Sequence, residues 1–216
     1  MYGKEVLMDL VVTACRALAN RTRLRLLHAI HTRPLLAVRE LAAQIAQPPA
    51  ATSQQLKLLC TFHFIEAVPQ GRQVFYRPAG SKVTANRFLR DLHALLGDIM
   101  SKKEVNRTPL EVCDKANASN EAVLEALVKL FTTYTHLRRL LLLRQLATGT
   151  DTTVTALTER IGMSPDAVYR HLDKLRRRGV VTYQGTLPES WRVVAHRGPT
   201  CRERLLTIVL QKLLNH

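Results

Sequence analysis

The sequence predicts a mainly helical chain that contains one structural plan twice, with a small β-hairpin closing each copy. Six positions of the first copy recur without a gap at a constant offset of 116 residues: Leu41, Ile45, Pro49, Leu56, Leu59 and Ile65 correspond to Leu157, Ile161, Pro165, Leu172, Leu175 and Val181. One offset held over a stretch of about 25 residues indicates a duplicated unit.

A short helix and a tight turn open the repeated segment of the second copy. Leu157 and Ile161 lie one turn apart on one face of the predicted leading helix. Gly162 then ends that helix, because glycine tolerates the left-handed conformation at a helix C-terminus. Ser164 followed by Pro165 fits an N-cap and a first helical position, so a second helix begins there.

This second helix, predicted over residues 165–178, carries polar side chains between its apolar positions: Tyr169, Arg170, His171 and Lys174. Two β-prone segments, residues 180–183 and 191–194, then predict a hairpin. Helix, tight turn, helix and hairpin is the order of a winged helix-turn-helix, in which the second helix reads DNA.

The first copy follows the same plan. Its reading helix is predicted over residues 50–62 and is expected to present five polar side chains outward: Thr52, Ser53, Gln54, Gln55 and Lys57. Its hairpin turns at Gln70-Gly71, and the aromatic residues Phe75 and Trp191 match at the same offset of 116.

Three stretches of the first copy resemble the ArsR-type winged-helix repressors. They are the opening helix ALANRTRLRLL at 17–27, the reading helix SQQLKLL at 53–59 and the wing GRQVFY at 71–76, in the order of the family. This resemblance covers roughly residues 1–105. The second copy is similar to the family more loosely, through LRRLL at 137–141 and YRHLDKL at 169–175.

The resemblance implies a transcriptional regulator, usually a homodimer built on its first and last helices. Apolar stripes for both flanking helices occur in both copies, so we expect the copies to pack together as an intramolecular pseudo-dimer. The alternative is that each stripe closes its own domain. The expected organisation is a domain over residues 1–104, a linker over 105–118 and a domain over 119–216. His63 stands where the family usually has a glycine.

The charge of the chain favours an anionic partner. Basic side chains number 32 against 17 acidic ones, which gives a net charge of +15 and a pI near 10.3. Double-stranded DNA is the plainest partner for such a protein. Most of the basic residues are arginine, whose planar fork suits phosphates and guanine edges.

The predicted DNA contacts combine both reading helices with both wings. Besides the polar side chains of the two helices given above, they include Arg72 and Arg77 of the first wing, Arg177 at the end of the second reading helix and Arg192 of the second wing. Arg177 has an equally plausible alternative role as part of a solvated helix end.

The ligand inventory predicts no metal site and no cofactor. The four cysteines are far apart without a Cys-x-x-Cys motif, and the eight histidines form no pair at four-residue spacing. Cys60, in the last turn of the first reading helix, is a candidate for redox sensing, with a small buried hydrophobe as the alternative. Scattered cysteines without a secretion signal favour the cytoplasm, in association with the nucleoid.

No catalytic motif stands out, so the chain is interpreted as a non-enzyme. No apolar run of about 18 residues is present, which predicts no transmembrane helix. The expected function is a sequence-specific DNA-binding regulator, most simply a repressor, acting as a homodimer or as a monomeric pseudo-dimer. The alternatives are a non-specific architectural or nucleoid protein and a winged-helix protein-interaction module.

Overall fold

The computed structural model describes residues 2–80, 84–100, 119–149, 152–184, 190–194 and 200–214. The linker predicted over 105–118 and Cys113 lie outside these residues. We refer to residues 2–100 as the N-terminal half and to residues 119–214 as the C-terminal half.

The N-terminal half contains five helices and three strands within its described residues. In chain order they are α1 (Tyr2–Leu18), α2 (Arg21–Thr32), β1 (Leu36–Ala37), α3 (Val38–Gln44), α4 (Pro49–Thr61), β2 (Ile65–Gln70), β3 (Gln73–Pro78) and α5 (Arg87–Met100). The helix α4 is the predicted reading helix of the first copy, shifted by one residue at each end.

The described part of the C-terminal half has the same order of elements. They are α6 (Asn120–Thr132), α7 (Leu137–Thr148), β4 (Thr152–Thr153), α8 (Val154–Ile161), α9 (Pro165–Arg177), β5 (Val181–Gln184), β6 (Ser190–Val193) and α10 (Cys201–Leu214). The helix α9 is the predicted reading helix of the second copy and ends one residue early. The offset of 116 therefore holds from the start of α2 and α7 to the start of β2 and β5.

Local chemistry explains the turn between α8 and α9. Gly162 adopts a left-handed φ of 68° and its N–H donates to the Thr158 carbonyl over 2.9 Å. Ser164 caps α9, since its hydroxyl accepts a hydrogen bond from the Ala167 N–H. In the N-terminal half the residue matching Gly162 is Ala46, which takes the same left-handed conformation with a φ of 53°.

Each half has one small antiparallel sheet with matching strand order, β1-β3-β2 and β4-β6-β5. The register corrects the predicted match of Phe75 with Trp191. Leu36 faces Tyr76 and Thr152 faces Trp191, so the counterpart of Trp191 is Tyr76, at an offset of 115. The second hairpin is one residue shorter than the first, which the constant offset of the helices could not reveal.

The apolar core is continuous between the two halves. The first helix of the N-terminal half, α1, packs against α6, α7 and α10, while α5 packs against α10 and α2 against α6. Polar contacts join the halves as well: the Arg16 Nε donates to the Thr135 carbonyl, Arg21 and Arg25 bind Glu121, and Arg204 binds Asp98. The last helix, α10, is covered on two sides, because α5 and α7 both pack on it.

None of the helices in the described ranges combines the length and the apolar character that crossing a membrane requires.

Candidate DNA interface

The outer face of α9 presents three of its predicted contact residues to solvent. Tyr169, Arg170 and Lys174 are exposed, and Tyr169 is 46% exposed despite its size. The opposite face is fixed in the core by Val168, Leu172 and Leu175. The helix therefore offers an aromatic ring and two cations on one accessible surface.

His171, a further predicted contact residue of α9, is half-buried against a second histidine. Its ring centroid lies 4.8 Å from that of His136, the residue that precedes α7. Burial, then His136 and the nearby guanidinium of Arg139, lowers the pKa of His171 to about 4. His171 is therefore neutral at neutral pH and is partly shielded by its neighbour.

The C-terminal end of α9 carries an ion-paired cluster. Asp173 lies 2.9 Å from Nη2 of Arg176 and 2.7 Å from Nε of Arg177. The Arg176 guanidinium also lies over the Tyr183 ring, 5.7 Å from its centroid. The predicted contact residue Arg177 remains exposed, and exposed pairs of this kind are worth at most about 1 kcal/mol, so it can exchange Asp173 for a phosphate.

In the helix α4, the prediction that Thr52 faces outward is wrong. Its side chain is fully buried, and its hydroxyl donates to the Pro48 carbonyl over 3.0 Å. The offset of 116 places Thr52 opposite Val168, an apolar core residue, so the repeat contained the signal for its burial. Ser53, Gln54 and Lys57 are exposed as predicted.

Gln55 lies on the predicted face of α4, but its side chain is already hydrogen-bonded to another residue of the protein. Its Oε1 accepts a hydrogen bond of 2.8 Å from Nη1 of Arg23, and the side chain is half-buried. Gln55 and His171 are related by the offset of 116, and both contact a group at the start of the second helix of their own half. Each side chain therefore already has a partner within the protein, and its contact with DNA stays a prediction.

The wings supply exposed arginines of two kinds. Arg72 is exposed at the tip of the first hairpin, beside Gly71 with its left-handed φ of 61°. Arg77 is exposed but bound to Glu66, its cross-strand partner, with Nε 2.8 Å from the carboxylate. Arg192 occupies the same place in the second hairpin and faces Thr182, so no carboxylate lies directly opposite it.

The structure does not favour a redox role for Cys60. The thiol is half-buried and burial raises its pKa, which disfavours the reactive thiolate. Cys15 and Cys201 are buried, and burial also raises the pKa of each. Within the described residues, no three histidine, cysteine or acidic side chains come together as a metal site.

Sequence reasoning missed the role of an arginine in the second helix of each half. Arg139 is 4% exposed, and its Nη2 donates to the Thr132 carbonyl, while Nη2 of Arg23 donates to the Arg16 carbonyl. Both arginines fix the start of that helix to the end of the helix before it, and Arg23 also binds Gln55 of the reading helix α4. The offset of 116 relates them and was the available signal.

The family model described as "Bacterial regulatory protein, arsR family" matches residues 136–183, from the start of α7 into β5. This segment contains α8, the turn and α9, and the match supports an ArsR-type helix-turn-helix regulator that binds DNA. It falls on the second copy, where the sequence resemblance was the looser of the two. No curated protein and no solved structure matches the chain.

Proposed function

We propose that the protein is a sequence-specific regulator of transcription, most simply a repressor, that binds double-stranded DNA through α4 and α9. The observation that carries the proposal is the exposed trio Tyr169, Arg170 and Lys174 on α9, inside the segment that the ArsR family model matches. Arginine can pair bidentately with guanine in the major groove, and lysine neutralises phosphate or binds guanine.

In this proposal the two halves act as an intramolecular pseudo-dimer. Two-fold packing brings equivalent elements together, and α1 packs against its counterpart α6, as α5 does against α10. One unlike pair also occurs with its exchanged partner, since α2 packs against α6 and α7 packs against α1. The same helices build the homodimer in the family that the sequence resembles, so one chain would supply both halves of a dimer.

The two reading helices would then select two unlike half-sites. Exposed positions on α4 carry Ser53, Gln54 and Lys57, while the matching positions on α9 carry Tyr169, Arg170 and Asp173. Glutamine pairs with adenine and arginine with guanine. An operator with different halves about 10 base pairs apart is expected.

Affinity in this proposal comes mainly from phosphate neutralisation by the net charge of +15. Arg72, Arg177 and Arg192 would contact the backbone, and Arg77 would do so by exchanging Glu66 for a phosphate. We propose no catalytic step, and we propose that the protein acts on DNA in the cytoplasm.

The test is selection of the purified chain on random duplex DNA at near-physiological salt. The proposal expects one enriched motif with two unlike halves. Salt-sensitive binding without a motif would replace it with the architectural alternative, and no binding at all would replace it with the protein-interaction alternative. A perfect palindrome would keep the regulator but assign a homodimer of chains in place of the pseudo-dimer.

A further inference from the structure

A cavity with a volume of about 650 Å³ lies between α2, α3 and α6, so both halves contribute to its wall. This volume is typical of sites for small molecules. Its apolar wall includes Ala29, Ile45 and Leu124. Its polar wall includes Arg25, His28, Arg33, Gln44, Asn120 and Glu121.

The wall of the cavity has an excess of positive charge. Among the described residues of the lining Glu121 is the single acid, and it already binds two guanidinium groups, with distances of 2.6 Å to Arg21 and 2.8 Å to Arg25. Arg33 is exposed, its backbone N–H donates to the Ala29 carbonyl, and its guanidinium makes no ion pair or hydrogen bond with any residue in the described ranges. The first residue of α6, Asn120, also lies in the wall, and a helix N-terminus favours negative charge.

We propose that this cavity binds a small monocarboxylate whose carboxylate pairs with Arg33 and whose apolar body lies against Ile45 and Leu124. The planar fork of arginine matches both oxygens of a carboxylate. The apolar wall selects a ligand with a hydrocarbon or aromatic body over an inorganic anion, since such a body gains from leaving water.

The repeat predicts one such site for each chain. At the offset of 116, Gly149 stands in place of Arg33 and Leu141 stands in place of Arg25. The corresponding surface of α7 therefore lacks both guanidinium groups that give the cavity its charge. Arg160, which corresponds to Gln44, is exposed on α8 and provides a matched control for the loss of one positive charge.

Occupancy of the cavity would affect the reading helix α4, and this part rests on the proposed function. Gln44, Ile45 and Ala46 line the cavity and form the end of α3 and the turn that leads to Pro49, the first residue of α4. The opposite wall belongs to α6 of the other half. A ligand that binds one arrangement of α3 and α6 better than another shifts the population toward it and so changes DNA affinity.

The binding test is isothermal titration of the full chain with benzoate and octanoate as probes, without DNA. Benzyl alcohol is the neutral control for benzoate. We expect saturable binding of one carboxylate per chain with a Kd of about 1 mM or below. Arg33→Met should weaken it by roughly tenfold or more, and Arg160→Met should leave it unchanged. No saturation with either carboxylate, equal binding of the alcohol, or equal loss in both variants would overturn the site.

The regulatory part is tested separately by measuring DNA affinity of the wild type and of Arg33→Met, with and without saturating benzoate. A change in affinity that Arg33→Met abolishes supports the coupling. An unchanged affinity in a protein that binds both benzoate and DNA overturns the coupling. Failure to bind DNA under any condition overturns the proposed function, and the titration without DNA still decides the site.

Discussion

Arg23 and Arg139 make the same contact in the two halves of the chain. In each, Nη2 donates over 2.8 Å to a backbone carbonyl seven residues earlier, that of Arg16 in one half and of Thr132 in the other. The two arginines stand at the offset of 116. The same polar contact at these equivalent positions fixes the second helix of each half to the end of the first.

Replacing these arginines should destabilise the fold unequally. Arg139 is 4% exposed, and Arg139→Met would remove its hydrogen bonds to the Thr132 carbonyl and the Thr135 hydroxyl, which should lower the free energy of unfolding by about 2–3 kcal/mol. Arg23 is only half-buried, and Arg23→Met should lower it by roughly 1–2 kcal/mol. Urea unfolding followed by circular dichroism measures both. Equal stability of Arg139→Met and the wild type would contradict the structural role.

Two residues with left-handed backbone conformations predict stabilising substitutions. Ala46 and His63 have φ values of 53° and 55°, where their counterparts are Gly162 and Gly179. Ala46→Gly and His63→Gly should each raise the free energy of unfolding by about 0.5–1 kcal/mol, because glycine removes the steric penalty at positive φ.

The reverse change at Gly179 provides the control for this prediction. Gly179→Ala should lower the free energy of unfolding by more than about 1 kcal/mol, since the φ is 67° and an added Cβ would lie 2.5 Å from Nη1 of Arg202. Thermal or urea unfolding of the three variants gives the comparison. A loss of stability in both glycine variants would contradict the left-handed assignments.

The free energy of unfolding should fall as the pH is lowered, because histidines of α2 and α5 are packed against each other in the folded state. Burial first, and then His93 and His28, lowers the pKa of His31 to about 4 from its ordinary value of 6.5. The folded state thus favours neutral His31, so its contribution is complete above about pH 6.5 and is lost as the pH falls toward 4. The loss should be on the order of 2 kcal/mol.

The measurement for this prediction is the free energy of unfolding in urea as a function of pH for the wild type and His31→Gln. The variant should show a flatter profile between about pH 6.5 and pH 5, because it lacks the titrating group. Parallel profiles would contradict the burial of His31 in its neutral form.

Burial of Thr52 predicts that it takes no part in DNA binding. Thr52→Val replaces it with the residue at its counterpart, Val168, and should leave DNA affinity unchanged and shift the free energy of unfolding by less than about 1 kcal/mol. Gln54→Ala, at an exposed position two residues later, should weaken binding by roughly 1–3 kcal/mol if Gln54 pairs with a base. Electrophoretic mobility shift with the selected duplex compares them. If Thr52→Val lowered the affinity for DNA without lowering stability, Thr52 would contact DNA and the prediction would be wrong.

The sequence predicted the bounds of the helices well, but it predicted the burial of some side chains poorly. The offset of 116 and the proline and glycine signals placed α4 and α9 within one residue of their observed ends, since these signals are local. Thr52 differs from the prediction because its position one turn before Leu56 places it on the buried face of α4 despite its polar side chain.

The partners of the reading helices could not be predicted from local pattern. Gln55 binds Arg23 and His171 packs on His136 because tertiary folding brings the start of α2 and of α7 beside those helices. The cavity between α2, α3 and α6 has the same origin, because Arg33 and Leu124 meet only when the two halves pack together. The counterpart of Trp191 is Tyr76 and not Phe75, because the second hairpin is one residue shorter than the first. This difference follows the helices in the chain and leaves their offset of 116 unchanged.

The most direct test of two unlike reading helices in one chain is to repeat the selection on random duplex DNA with Arg170→Ala and compare its motif with that of the wild type. Arg170 is exposed on α9, and a single chain presents Gln54 at the matching position of α4. Loss of base preference should therefore be confined to one half of the motif, while the half read by α4 is retained. Loss of preference in both halves would show that two chains bind a symmetric site, and an unchanged motif would show that Arg170 does not read DNA.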